Sequence, residues 1–170
     1  MRKQLIGFAG AFPAVLISVY CWQNPELISS YIKLPSDLEI SRLVFAISWM
    51  LAPAFMLLIG IIGASRRGFY SDAIEGNRNP QNKSLEINLR YNQNTIEQTI
   101  VAIIVWAALS IELPIHRLTI IPMFALLFVI GRITFWVGYL LNPMARTFGM
   151  TLTVFPTIIG FCWLIINNLS

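Results

Sequence analysis

Charged residues are scarce in this sequence of 170 residues. They make up 12% of the chain, whereas hydrophobic residues make up 56%, and an ordinary soluble domain contains roughly 25% charged residues. Long polar segments are scarce as well, and the longest one, residues 66–94, is too short to bury a core of its own. The composition therefore excludes a soluble globular domain and predicts an all-α integral membrane protein.

Cysteine and histidine are also rare. The two cysteines, Cys21 and Cys162, lie near the ends of predicted spans, so neither a disulfide framework nor a metal site is indicated. The only histidine, His116, lies in a short turn without a nearby Ser or Cys nucleophile, which favours a solvated or interfacial role over catalysis. We expect no metal and no nucleic-acid partner.

Long apolar runs are what the sequence does contain. About twenty apolar residues are needed for a helix to cross roughly 30 Å of hydrocarbon. Five runs approach this length: 5–22, 43–65, 95–113, 118–141 and 148–166. We therefore predict a four-helix transmembrane bundle at 43–170, preceded at 1–42 by one additional N-terminal transmembrane helix and a connecting loop.

The first apolar run follows Met1-Arg2-Lys3, which also resembles the basic start of a secretory signal peptide. The run is long, ends in the bulky Val19-Tyr20-Cys21-Trp22, and lacks a small-x-small cleavage pattern. These features favour a helix that is retained.

The basic residues of the connections predict the orientation of the spans. With a cytoplasmic N-terminus, eight basic residues fall on the cytoplasmic side: Arg2, Lys3, Arg66, Arg67, Arg78, Lys83, Arg90 and Arg146. Only Lys33, Arg42 and Arg117 fall on the other side. We expect a multi-pass protein whose N-terminus, 66–94 loop and turn around Arg146 lie at the cytoplasmic face.

Polar residues form a stripe where the third run begins. Arg90, Asn94 and Glu97 stand at i, i+4 and i+7, so they share one face of a helix. The connection SIELPIHRL between the third and fourth runs is short, so these two helices should be antiparallel neighbours. The start of the third span and the end of the fourth then lie at the same depth.

The fourth run carries a second stripe. Arg132, Tyr139 and Arg146 stand at i, i+7 and i+14, so they share a face as far as a kink at Pro143 allows. Arg132 lies deepest, where a bare charge costs several kcal/mol unless it is paired or hydrated. Glu97 on the neighbouring helix is its expected partner.

Two interpretations of these stripes stay open. Arg90 and Arg146 snorkel to lipid phosphates in one of them, while Glu97 and Arg132 form a structural ion pair. In the other, the mixture of cations, an amide, a carboxylate and a phenol binds a small zwitterionic ligand with several charges. A lipid anchor needs only the cations, so the mixture favours a ligand site.

The same residues resemble two signatures of the MAPEG family, the membrane-associated proteins in eicosanoid and glutathione metabolism. Arg90-Tyr-Asn-Gln-Asn94-Thr-Ile-Glu97 is similar to the family's Arg-x-x-x-Asn-x-x-Glu signature. Arg132-x-x-Phe-x-x-Gly-Tyr139, followed seven residues later by Arg146, is similar to the second. The resemblance covers roughly 43–166 and leaves the run at 5–22 as an extra helix.

The resemblance implies a left-handed four-helix bundle that forms a homotrimer within membrane lipids. It implies glutathione as a co-substrate, bound between subunits near the cytoplasmic side. The expected function is that of a membrane transferase or peroxidase of the microsomal glutathione transferase type. Its small lipophilic substrates would be electrophiles or lipid hydroperoxides.

The resemblance also implies roles for the stripe on the third helix. Arg90 would hold a carboxylate of glutathione. Asn94 and Glu97 would contact its remaining polar groups, with Glu97 placed against the γ-glutamyl ammonium.

On the other helices, Tyr139 would line the same pocket and Arg146 would stabilise the thiolate. Arg66 or Arg67 would reach into the pocket from the adjacent subunit. Arg132 is expected to be a structural polar residue.

Two positions depart from the family pattern, since Gln98 and Phe135 stand where glutathione-using members often have Tyr or, at the second position, His. The alternative is therefore a non-catalytic MAPEG-like protein that binds a lipid or a protein partner. A small transporter has little support, because the charges cluster at one mouth of the bundle and do not cross its midplane.

Overall fold

The computed structural model describes residues 2–76 and 81–169, without the side chains of 2–6 and 8. Its α-helices are α1 (Arg2–Gln23), α2 (Glu39–Ser65), α3 (Lys83–Glu112), α4 (Ile120–Leu141) and α5 (Arg146–Leu169). Short 3-10 helices cover Pro25–Tyr31, Arg66–Phe69 and Ile115–Arg117. Within these residues there is no strand, and the predicted all-α membrane bundle is confirmed.

The helices differ in their capacity to cross a membrane. Four helical segments, which contain α2, α3, α4 and α5, are long and apolar enough to span it, and a shorter apolar stretch covers Ala9–Gln23 in α1. The chain is thus a multi-pass membrane protein. Arg78, which contributed to the predicted orientation, lies outside the described residues.

Helix α3 begins well before the apolar run at residue 95. The Asn82 side chain caps the helix, because its Oδ1 accepts a hydrogen bond of 3.0 Å from the Leu85 backbone N–H. The polar stripe is therefore part of the same continuous helix as the membrane span. This continuity fixes the direction of its polar side chains.

The bundle is built from two closely packed pairs, α2 with α3 and α4 with α5. The predicted antiparallel hairpin is confirmed, since α3 also contacts α4, although each packs more extensively on its other partner. Trp106 of α3 lies in the core, 6.2 Å from the ring centroids of both Phe124 and Phe128. All three side chains are almost completely buried.

Helix α1 lies against α4 and α5. Ala14 and Cys21 of α1 are buried together with Met123, Leu127 and Leu152. The predicted boundary between residues 42 and 43 stays a prediction, and α2 itself begins at Glu39.

The connection between α4 and α5 corrects one expectation. Pro143 does not kink a continuous helix, because α4 ends at Leu141 and Arg146 is the first residue of α5. The reason is local, since the residue before a proline avoids the helical region, and Asn142 is extended with φ −155° and ψ 130°. Arg146 therefore belongs to a different helix from Tyr139.

Candidate functional site

Arg132 is fully buried in the centre of the bundle. Its Nη1 donates to Asn94 Oδ1 at 2.9 Å and, at 3.4 Å, to Thr95 Oγ1 on α3. Its Nε donates to Thr153 Oγ1 on α5 at 3.1 Å. The guanidinium thus connects three helices through neutral oxygen acceptors.

The expected ion pair between Arg132 and Glu97 is wrong. Glu97 is exposed on the outer side of α3, where its Oε1 accepts a hydrogen bond of 2.9 Å from Gln93 Nε2. Asn94 and Thr95 occupy the face of α3 that meets Arg132. Among the described residues, Arg132 has no acidic ion-pair partner.

Aromatic rings complete the environment of Arg132. Its Cζ lies 4.6 Å from the Phe135 ring centroid, 5.9 Å from that of Phe128 and 6.0 Å from that of Tyr91. Cation–π contacts of this kind stabilise a guanidinium in the absence of a carboxylate. Phe135, which lacks the hydroxyl of the family pattern, is therefore a packing partner of the buried charge.

Arg146 of α5 lies over the ring of Tyr139 on α4. The Arg146 Cζ is 4.5 Å from the Tyr139 ring centroid, and the hydrogen bond to Glu86, together with a smaller contribution from the Tyr139 phenol, raises the pKa of Arg90. Gly138 permits the approach of Arg146, because a Cβ there would lie only 2.8 Å from the Ala145 backbone.

Five residues were expected to converge at one depth: Arg90, Asn94, Glu97, Tyr139 and Arg146. The structure brings Arg146 against Tyr139, whereas Asn94 contacts Arg132 and Glu97 contacts Gln93.

Arg90 has a second partner that the sequence analysis missed. Its exposed guanidinium pairs with Glu86, with Nη2 at 2.7 Å and Nε at 2.9 Å from Oε1. The spacing of four residues on a helix is the signal that predicts such a pair. Exposed pairs contribute only about 0–1 kcal/mol, so a ligand carboxylate can replace Glu86 at low cost.

An open polar groove of about 500 Å³ runs along α3 beside the end of α2. Four of the residues that line it were predicted site residues, namely Arg67, Arg90, Asn94 and Glu97. Arg67 is partly held in place because its Nε donates to the Ala73 carbonyl oxygen at 3.3 Å. The groove therefore combines two cations, one carboxylate and three amides, the last being Asn92, Gln93 and Asn94.

Arg66 does not line the polar groove. It lies beside an apolar cavity of about 450 Å³ between α2, α3 and α4. Arg132 reaches the wall of this apolar cavity from the bundle interior. Of the two arginines predicted to approach a neighbouring subunit's site, only Arg67 shares a groove with Arg90 in this chain.

Several polar contacts behind the site were not predicted. Thr95 and Thr153 hold Arg132, and the Trp136 indole N–H donates to Asn88 Oδ1 at 3.1 Å. Thr95 directly follows Asn94 in the sequence, and this position is the signal that could have found it. The sequence has no comparable signal for Thr153, because its contact with Arg132 depends on how α5 crosses α4. Gln98 is half-buried next to Glu97 on the same helix.

Comparisons with known proteins agree with this architecture. The model of the MAPEG family matches residues 43–166. Transmembrane protein 79 of Mus musculus and that of Bos taurus are each 25% identical over 142 residues, which is 81% of this chain and 36% of the relative. The chain thus spans about a third of the length of these relatives. No solved structure matches the chain.

Proposed function

Because this chain belongs to the MAPEG family, we propose that it is a glutathione-dependent membrane transferase or peroxidase acting on lipophilic electrophiles or lipid hydroperoxides. The observation that carries the proposal is the polar groove, in which Arg67 and Arg90 lie beside the amide of Asn94 and the carboxylate of Glu97. A lipid anchor requires the cations but neither the amide nor the carboxylate.

The charges of the polar groove suit glutathione, which carries two carboxylates and one ammonium. A guanidinium grips a carboxylate through two parallel hydrogen bonds, and the groove supplies Arg67 and Arg90 for this purpose. The exposed Glu97 in the same groove suits the ammonium. The balance of two cations against one anion matches the ligand.

Asn94 is oriented for a particular contact. Because Arg132 donates to Asn94 Oδ1, the amide nitrogen of Asn94 remains to donate outward. A ligand at this position must present an acceptor, such as a carboxylate or a peptide carbonyl. This assigns Asn94 to an oxygen of glutathione and leaves the ammonium to Glu97.

In this proposal Arg146 would act on the thiol of glutathione. A cysteine-like thiol has a pKa of about 8.5 and is mostly protonated at neutral pH, and a nearby cation stabilises its thiolate. Arg146 is only half-buried and already lies over the Tyr139 ring. The pair would hold the sulfur at the membrane edge, where apolar electrophiles arrive from the bilayer.

The proposal includes a homotrimer with the site at the cytoplasmic face. In this assembly Arg66 or Arg67 of a neighbouring copy would complete the pocket. The orientation predicted from the basic residues puts the N-terminus at the same cytoplasmic face as the site.

Calorimetric titration of the purified protein with glutathione tests the proposal. Arg90→Ala should weaken binding by about 1.5–3 kcal/mol, because a charge-assisted carboxylate contact is lost. Arg146→Ala should bind nearly as tightly but lose the thiolate absorbance of bound glutathione at neutral pH. Lys33→Ala, an exposed change at the opposite end of the bundle, is the control and should behave as the parent.

A non-catalytic role is the second candidate, and the buried Phe135 favours it. Its ring packs under Arg132 and offers no hydroxyl to a thiol. Absence of binding by the parent at millimolar glutathione would reject the enzyme and leave a protein that binds a lipid or a protein partner.

A further inference from the structure

We propose that Gly76 is a positioning residue of the polar groove, because its missing Cβ lets the Arg67 guanidinium lie against the turn at residues 73–76 and keep one orientation. Arg67 lines the groove, whereas Gly76 does not. The inference rests on the proposed glutathione site, in which Arg67 holds a carboxylate. It adds a residue that acts on the ligand only through Arg67.

The segment at residues 66–76 follows the end of α2 and turns back beside it. Three backbone N–H groups each donate to the carbonyl oxygen three residues earlier: Tyr70 to Arg67 at 3.1 Å, Ala73 to Tyr70 at 3.0 Å and Gly76 to Ala73 at 3.1 Å. The Ala73 side chain is only 2% exposed, so the turn packs against the rest of the molecule. These contacts give the turn a defined shape.

The guanidinium of Arg67 lies directly on this turn. The Ala73 carbonyl oxygen, which accepts the Gly76 N–H, also accepts a hydrogen bond of 3.3 Å from Arg67 Nε. A Cβ at Gly76 would lie 3.1 Å from Arg67 Cζ and would collide with Arg67 Nη2. The Nε and Nη2 edge of the guanidinium therefore fills the space that a side chain at residue 76 would need.

Glycine is needed at residue 76 for two separate reasons. Its φ is 75°, and it is the only residue with a positive φ among those that the structure describes. L-residues with a side chain disfavour this region, which concerns the turn alone. The second reason is the space taken by Arg67, and this reason links Gly76 to the groove.

Holding Arg67 in advance favours binding. A free arginine side chain loses conformational freedom when it contacts a ligand, and a side chain that is already fixed loses less. The partner of Arg67 Nε is a neutral carbonyl oxygen, so this hydrogen bond leaves the positive charge to the ligand. Arg90, in contrast, is paired with the carboxylate of Glu86.

A double-mutant cycle tests the inference by calorimetric titration with glutathione. Gly76→Ala should weaken binding roughly 3- to 10-fold, because the new Cβ displaces the guanidinium. Arg67→Ala should weaken it roughly 10-fold or more. The double variant should bind like Arg67→Ala alone, since the collision is then absent although the backbone strain remains. Parent-like binding by Gly76→Ala, or an equal loss in both backgrounds, would overturn the inference.

Gly68→Ala is the matched control. It makes the same chemical change in the same segment, but a Cβ at Gly68 would meet nothing within 4 Å. This variant should bind glutathione as the parent does. An equal loss in Gly68→Ala and Gly76→Ala would show that the segment tolerates no change, and it would contradict a specific role for Gly76.

Modification of arginines by phenylglyoxal, followed by mass spectrometry, tests the position of Arg67 without glutathione. The neighbouring Arg66 is exposed and serves as the internal reference. Arg67 should react several-fold more slowly than Arg66 in the parent and at a similar rate in Gly76→Ala. Equal rates in the parent would overturn the inference. A protected Arg67 in a parent that does not bind glutathione would support the fixed guanidinium and reject glutathione as its ligand.

Discussion

Arg132 shows how a buried cation is kept in this bundle with neutral partners. Its hydrogen bonds go to Asn94, Thr95 and Thr153, and its flat face lies on aromatic rings. Each contact is weaker than an ion pair, but together they hold the guanidinium in one orientation. That orientation in turn fixes the amide of Asn94.

Asn94→Asp should separate the structural role of this residue from its role in binding. The new carboxylate would pair with Arg132, so the unfolding temperature in detergent should rise. Glutathione affinity should fall by roughly tenfold or more, because the outward N–H donor is lost and a negative charge faces the ligand.

Gln93→Glu is the control for this change, because it adds the same charge in the same groove but lies exposed and away from Arg132. Its unfolding temperature should not rise. A rise in the control, or unchanged glutathione binding in Asn94→Asp, would reject the assigned orientation of Asn94.

At this scale the sequence predicted which residues of α3 line the polar groove better than it predicted the partners of Arg132. Regular spacing along one helix was enough to group Arg90, Asn94 and Glu97. The partner of Arg132 was predicted wrongly, because rotation of α4 against α3 decides which acceptor it meets. A helical period contains no information about that rotation.

The crossing of α4 and α5 is the element that brings Arg146 over Tyr139. Gly131 and Gly149 face each other there, and a Cβ at Gly149 would lie 2.2 Å from the Phe135 backbone nitrogen. The small residues let the two backbones touch, as is common between membrane helices.

Gly149→Ala should therefore lower the free energy of unfolding by about 1–3 kcal/mol, the usual cost of overpacking. It should also weaken the thiolate signal of bound glutathione, because α5 carries Arg146. Thermal unfolding followed by circular dichroism measures the first effect.

Gly68→Ala provides the comparison, since a Cβ at Gly68 would meet nothing within 4 Å. It should unfold like the parent. Equal losses in the two variants would show that the close crossing does not limit stability.

The helices themselves were predictable from apolar runs of membrane length, and so was the polar start of α3. The run 118–141 also matches the end of α4, but the stripe that included Arg146 assumed a helix continuing past Pro143, because a proline after a long apolar run fits either a kink or a stop. The extended conformation of Asn142 decides for the stop. Sequence spacing across such a break does not predict which side chains share a face. Arg146 and Tyr139 still meet, because the start of α5 packs closely against Gly138 of α4.

For the whole molecule, the position of α1 limits how copies can associate. Helix α1 covers part of α4 and α5, whereas α2 and α3 keep large exposed apolar side chains such as Leu51, Phe55, Ile100 and Ile104. The faces of α2 and α3 are therefore among the surfaces available to other copies or to lipid.

We expect a homotrimer that uses these faces, with a mass three times that of the chain in native mass spectrometry from mild detergent. Shared symmetric interfaces of this kind bury apolar surface and supply groups from a neighbouring copy. A dominant monomer that still binds glutathione would contradict a pocket shared between subunits.

Arg132 also lies between the polar groove and the apolar cavity. One nitrogen of its guanidinium holds the amide of Asn94, which lines the polar groove, and the Arg132 side chain also borders the apolar cavity. A ligand that changes the position of the guanidinium on one side changes the hydrogen bonds available on the other. By thermodynamic reciprocity, whatever factor a ligand of the apolar cavity applied to glutathione affinity, glutathione would have to apply to the affinity for that ligand.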